Sequence, residues 1–446
     1  GIWGRNSRMG DGFSWKGNIS VVSAAMDNVV LRQVRVLDPV ANLDHRQDVW
    51  FKDGQLQAIT PQLSDLPTAV ESIEAADLIL APGLVDLYSH SSEPGYESRE
   101  TLKQLAQGAL AGGFTQVGIL PNTQPPLDNL GQLQSFQQLI QQIPGPKPNF
   151  LPWAALTKKC QGESLTELGE LAAANIAGFS DSQALNNWLL LRRTLEYLCP
   201  HHRPIALYPQ NLALHNGGTA RYGKASLAYG LVEELVSVET TAIASICELV
   251  AELKTPVHLM RISTARGVEL IAEAKQRGLP ITASVSWMHL LWNTKALSTY
   301  DPNLRLDPPL GNPEDQQALI EGVKTGVIEA IAIDHQPYLY EEKTVSFAEA
   351  PSGVIGLEIA LPILWQNFVV SQEWQPLQLW QALSTNPQKC LGQAIKSIAP
   401  ENCQPLILFD PSKTWQVNHE NLHCPQTNTP WWQKTLTGKV INTFLG

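Results

Sequence analysis

Asp86, Tyr88 and His90 stand at alternate positions where the apolar run Leu80-Ala-Pro-Gly-Leu-Val-Asp-Leu-Tyr-Ser-His ends, just before a break at Pro94-Gly95. Residues two apart lie on one face of a strand, so these side chains converge on one point. Two imidazoles spaced this way would grip a metal ion. Here the first of the two places holds Tyr88, and the stretch reads as a metal-site strand from which the metal chemistry has been removed. Thiol chemistry is no better supported. The six cysteines, Cys160, Cys199, Cys247, Cys390, Cys403 and Cys424, include no Cys-x-x-Cys pair, which argues against a disulfide framework and a structural zinc site and fits a reducing cytoplasm.

The elements that must position this strand follow from the pattern of apolar runs. Short runs expected as strands (Leu80 to His90, Phe114 to Leu120, Phe150 to Leu156, Ile176 to Ser180, Pro204 to Tyr208, Pro256 to Ser263, Leu279 to Val285 and Ile328 to Asp334) alternate with segments of three and four spacing. Thr101 to Ala111, Thr240 to Leu253, Thr264 to Gln276 and Pro313 to Thr325 are such segments. This alternation predicts an α/β fold, a (β/α)8 TIM barrel over residues 80–389, whose chemistry belongs at the carboxyl ends of the strands. An open doubly wound sheet is disfavoured, because no Gly-rich dinucleotide fingerprint follows an early strand. Both chain ends are β-rich, so residues 26–79 and 390–446 are expected to form a small composite β-sandwich domain. Residues 1–25, rich in Gly and Ser and without periodicity, read as a tag or disordered extension.

The charge balance, 31 Lys plus Arg against 42 Asp plus Glu, is −11 and disfavours nucleic acid and acidic lipid as partners. No run reaches the ~18 apolar residues of a membrane span.

Pro82-Gly-Leu-Val-Asp-Leu-Tyr-Ser-His, Glu93-Pro-Gly, Ala111-Gly-Gly-Phe-Thr, Pro121-Asn-Thr, Asp307-Pro-Pro-Leu, Ala332-Ile-Asp-His and Ala350-Pro-x-Gly together resemble the dihydroorotases of the amidohydrolase superfamily. In that family a first-strand His-x-His, a bridging carboxylate or carboxylated lysine and histidines ending strands five and six hold a zinc pair. The bridged hydroxide attacks a ring amide while an aspartate ending strand eight moves the proton. Carried over by resemblance, the ligand positions here are Tyr88, His90, Asp181, Tyr208 and Arg261, and Asp334 is a vestigial general base. At substrate positions the family's Arg is Ser92, its Asn before Pro-Pro-Leu is Asp307, its His after Asp-His-x-Pro is Tyr338, and Asn122 is retained.

A guanidinium about 5 Å from a divalent ion, at an effective dielectric near 20, repels it by ~6–7 kcal/mol. That removes much of the ~10–16 kcal/mol a well-made zinc site gains. The resemblance therefore implies a catalytically inactive dihydroorotase-like protein without zinc, with His90, Asp181 and Asp334 the residual metal candidates. Family members lacking their metal ligands associate with aspartate transcarbamoylase in pyrimidine biosynthesis, so the same cytoplasmic partner, in a homo- or hetero-oligomer, is expected. Arg261 is expected to pair with Asp334, Asp181 or both. Two other readings stand beside this one: an active dihydroorotase or other cyclic amidohydrolase with a reduced metal site, and a small-ligand sensor.

Other candidates read more plainly. Lys158 and Lys159 suit a solvated loop, His201-His202 the structural side of the barrel, His258 the start of strand six, and Cys160 an inert thiol. His289 alone lies near the mouth, and Trp431-Trp432 suit sandwich core or an exposed contact patch.

Overall fold

The computed structural model describes residues 28–446, and the expectation for residues 1–25 lies outside the described residues. Eight parallel strands form the barrel: β1 (Leu84–Ser89), β2 (Phe114–Ile119), β3 (Asn149–Ala154), β4 (Gly178–Phe179), β5 (Ala206–Leu207), β6 (Val257–Leu259), β7 (Ile281–Ser286) and β8 (Ala330–Ala332). They pair in order as two four-stranded arcs. The arcs meet through a parallel bridge between Phe179 and Ile205. On the other side Asp334 N donates to Tyr88 O and His90 N to His335 O, which closes β8 onto β1. Strands buried on both faces need near-continuous apolar sequence, and β1 is buried at every position.

Tyr88, Met260, Ala206, Ala330 and Trp153 belong to an inner cluster, while a larger apolar layer lies between strands and helices. The chain ends form one seven-stranded sheet in the order Thr435–Phe444, Leu406–Gln416, Ile79–Pro82, Val29–Asp38, Leu43–Lys52 and Gln55–Thr60, with Glu71–Glu74 also on Val29–Asp38.

The continuous strand expected over Leu80 to His90 is two strands. Ile79–Pro82 pairs antiparallel with Leu406–Gln416, and the chain then enters the barrel at Leu84. Pro82 and Gly83 explain the change of sheet. Pro82 has no N–H for a ladder, and a Cβ on Gly83 would lie 2.1 Å from Thr115 Oγ1. The carbonyls freed at the crossing are met by side chains, Pro82 O by Trp380 Nε1 and Gly83 O by Ser384 Oγ. The site-bearing strand is thus clamped at its amino end before its carboxyl end reaches the mouth.

Candidate functional site

Residues just beyond β4, β6 and β8 turn the chain sharply at the mouth. Ser182, Arg261 and Asp334 all have left-handed backbones, with φ of 66°, 56° and 53°. Such non-glycine positions cost ~1–3 kcal/mol each and persist where surroundings over-determine them. The surroundings here are one hydrogen-bonded cluster. Arg261 Nε donates to Asp334 Oδ2 at 2.7 Å and Nη2 to Oδ1 at 3.1 Å, while Nη1 donates to Ser182 O at 2.6 Å. The guanidinium carbon lies 5.1 Å from the Tyr208 ring centre and 5.6 Å from that of Tyr88. His90 bridges Asp334 Oδ1 through Nε2 at 3.0 Å and Asn122 Oδ1 through Nδ1 at 3.1 Å.

The Arg261 and Asp334 side chains are 6% and 16% exposed, so the pair works in a low-dielectric setting. Burial alone would raise the Asp334 carboxyl, but the Arg261 charge and the His90 hydrogen bond outweigh it and hold the group well below the usual carboxylate range. Burial likewise opposes the charge of Arg261, and Asp334 reverses that, leaving the guanidinium above its ordinary value.

Tyr88 lies beneath this pair, fully buried. Its hydroxyl accepts from Arg261 N at 3.1 Å and meets Ser284 Oγ at 2.7 Å. Ser284 Oγ in turn meets His258 Nε2 at 2.8 Å, and His258 Nδ1 meets Thr282 Oγ1 at 2.8 Å. Burial pushes the His258 imidazole down to about 3, which keeps it neutral in this chain of polar groups. Burial, with Asp334 nearby, raises the Tyr88 phenol, so it is a neutral hydroxyl.

Above the pair is a cavity of about 310 Å³ whose wall includes His90, Asn122, Tyr208, Arg261, Asp307 and Asp334. Tyr208 donates its hydroxyl to Asp307 Oδ1 at 2.6 Å. Burial and the adjoining Asp307 charge hold that phenol well above its ordinary value.

Four residues expected to line the pocket do not. Asp181 is turned away, because its carboxylate accepts from Leu156 N at 2.7 Å and Thr157 N at 3.0 Å and from the Thr157 hydroxyl. The left-handed turn at Ser182 presents that residue's carbonyl to Arg261 instead. Ser92 is buried in a turn closed by Tyr96 N on its carbonyl. Tyr338 is drawn to a separate surface pocket with Lys343 and Trp432, its N–H held by Asn428 Oδ1 at 3.2 Å. Tyr88 is roofed by the ion pair.

Among the other candidates, Lys158, Lys159, His201 and His202 are exposed. Cys160 is buried, and burial with the Asp181 and Asp128 charges raises its thiol. Trp431 belongs to neither expected setting: it stacks on Trp287 of the barrel, ring centres 5.2 Å apart.

The groups left at the ligand positions do not fit a zinc pair. Asp181 is consumed by its loop, both Asp334 oxygens face the guanidinium, and Tyr88 offers a bonded neutral hydroxyl. A different cluster went unrecognised in the sequence. Glu100, His335 and Cys424 bring their ligand atoms within 4.8 Å of one another, all buried. His335 Nε2 meets Glu100 Oε1 at 3.1 Å and Nδ1 accepts from Gly356 N at 3.0 Å, while burial and Glu100 raise the Cys424 thiol well above its ordinary value. Satisfied in this way, the three bind the start of the helix Leu102–Ala111 and the C-terminal segment to the loop after β8. No spacing signal joins them, since they come from distant segments.

The profile of the dihydro-orotase-like family matches residues 77–264. A probable dihydroorotase-like protein of Synechocystis sp. is 46% identical over 436 residues, covering 92% of this chain and 98% of that protein. The dihydroorotase of Syntrophus aciditrophicus is 32% identical, over 94% of this chain and 97% of its own. Among solved structures, the L-hydantoinase (dihydropyrimidinase) from Arthrobacter aurescens superimposes with a TM-score of 0.78 at 21% identity, over 94% of each chain, a likeness of fold.

Proposed function

Since the chain belongs to the dihydroorotase-like family, we propose that it is a catalytically inactive member whose role in pyrimidine biosynthesis is structural, through assembly with aspartate transcarbamoylase in the cytoplasm, and that it holds no zinc. The observation that carries this reading is the buried Arg261–Asp334 pair. A carboxylate held far below neutral pKa by a guanidinium is a poor general base, and the same guanidinium repels a divalent ion by the ~6–7 kcal/mol worked above. Tyr88 and Tyr208 support it further, as neutral phenols where metal ligands would stand. The partner follows from the resemblance to metal-depleted family members and is tested directly. Mixed with the aspartate transcarbamoylase of its own organism, the protein is expected to co-elute in size-exclusion chromatography and to raise that enzyme's apparent mass. Separate elution at micromolar concentrations contradicts the assembly, and metal-dependent ring opening abolished by Asp334→Ala contradicts the inactivity.

A further inference from the structure

Outside the mouth, large apolar side chains are left uncovered on one stretch of the chain. Of the fourteen large apolar or aromatic side chains exposed among the described residues, six (Leu212, Leu214, Tyr222, Leu227, Val232 and Leu235) lie between β5 and the helix Ser237–Leu253. Single apolar residues are normal on a surface, and scatter would place about one in a stretch this long. Tyr300 joins them, its hydroxyl donating to Tyr229 O at 2.7 Å and its ring meeting that of Tyr229 edge-on.

Hydrogen bonds fix this stretch against the barrel. Ala220–Arg221 pairs in parallel with Glu233–Glu234, and the inward members of that ribbon are buried. Arg221 donates through Nη2 to Ser263 Oγ at 2.7 Å, and Glu234 bonds His215. One register step further Tyr222 stands beside Leu235, and both are exposed. Tyr222 O accepts from Asn312 Nδ2 at 2.9 Å. A surface already ordered loses little conformational freedom when it is covered.

The six residues and Tyr300 are 44–61% exposed and present roughly 700 Å² of surface, and Lys224, Ala228 and Glu233 beside them bring the face near the ~800 Å² that each partner gives to a stable interface. Between Leu212 and Leu235 the exposed charges are Lys224 and Glu233, one of each sign, and neither is ion-paired among the described residues. On a chain of net charge −11 this face is therefore neutral. Copies of so acidic a chain repel one another elsewhere, whereas a twofold axis through a face with one free charge of each sign sets opposite charges against each other twice.

We propose that this face, from Leu212 to Leu235 with Tyr300, is the contact surface for a second copy of the chain. Tyr222, Leu227 and Leu235 form its apolar centre, and Lys224 of each copy meets Glu233 of the other.

Sedimentation of the purified full chain at tens of micromolar is expected to give the mass of two chains. Leu227→Glu is expected to weaken association by at least about tenfold, while Val370→Glu, at a position 58% exposed outside this face, leaves it unchanged. Lys224→Glu and Glu233→Lys, each alone, place like charges across the axis and are expected to weaken association by about tenfold. An equimolar mixture of the two restores both pairs and is expected to associate as the wild type does, a result that misfolding of either variant does not produce. A monomeric wild-type chain, undiminished association of Leu227→Glu, or a mixture no tighter than its separate variants would each overturn the proposal. A chain monomeric by itself whose co-elution with the transcarbamoylase is lost in Leu227→Glu would overturn it too, giving the face to that enzyme. The face is the same whether or not the mouth holds zinc, so zinc content and ring opening report on the earlier reading alone.

Discussion

Replacing Arg261 with Met removes a charge while keeping most of the side-chain volume, and it leaves Asp334 as a buried carboxylate facing a lost partner. The wild-type guanidinium makes two hydrogen bonds to Asp334 and one to Ser182 O, and its carbon sits over two aromatic rings. Removing one member of a buried ion pair costs ~3–5 kcal/mol, most of it for the stranded charge. His90 still donates to Asp334 Oδ1, and the cavity above admits water, so the low end, ~3 kcal/mol, is expected. Equilibrium urea unfolding at neutral pH measures it. Asp334→Leu alone should cost a similar amount, because it strands the guanidinium. The double variant Arg261→Met/Asp334→Leu should recover much of the loss, giving a coupling of ~2 kcal/mol or more. Acid adds a signature. The folded Asp334 carboxyl lies below its unfolded value of 3.8, so its contribution is present above that pH and is lost as pH falls below it. The gap between wild type and Arg261→Met should therefore be widest above about pH 4 and narrow beneath it. Additive single costs, or a gap that does not change with pH, would refute the idea that charge pairing holds the mouth together.

His258→Gln tests the polar chain inside the barrel. Because the folded imidazole is pushed down to about 3 from 6.5, its neutral form contributes stability above pH 6.5 that is lost as pH falls, and the difference between wild type and variant should shrink between those values in paired urea titrations. Gly118→Ala would put a Cβ 2.1 Å from Leu87 O and 2.8 Å from Trp153 Nε1, wedging β1 from β2 and displacing the hydrogen bond from Trp153 to Leu87 O. A loss of ~3 kcal/mol or more is expected, read as reduced soluble yield and melting temperature.

The barrel is legible because parallel strands buried on both faces must be written as short continuous apolar runs, and the chain alternates those with helical spacing. Asp334 ends one such run and Arg261 lies two residues before the end of another, so their meeting at one mouth follows from closing eight strands in order. What the linear pattern does not carry is backbone direction at single residues. Arg261 could in principle face either Asp181 or Asp334, and the choice is made by the left-handed turn at Ser182, which has no glycine to announce it. Tyr338 leaves the mouth for a similar reason, its N–H being held by Asn428 from the distant C-terminal segment. The change of sheet at Pro82-Gly83 was written in residue types, but an apolar run on both sides hid it. The buried Glu100–His335–Cys424 cluster is a product of tertiary closure alone.

The central claim is that a buried guanidinium stands where the family's chemistry needs a metal, and the zinc content of protein produced in zinc-supplemented medium tests it most directly. No stoichiometric zinc is expected, and none should be gained on dialysis against the metal. Two zinc ions per chain, retained through gel filtration, would contradict the account.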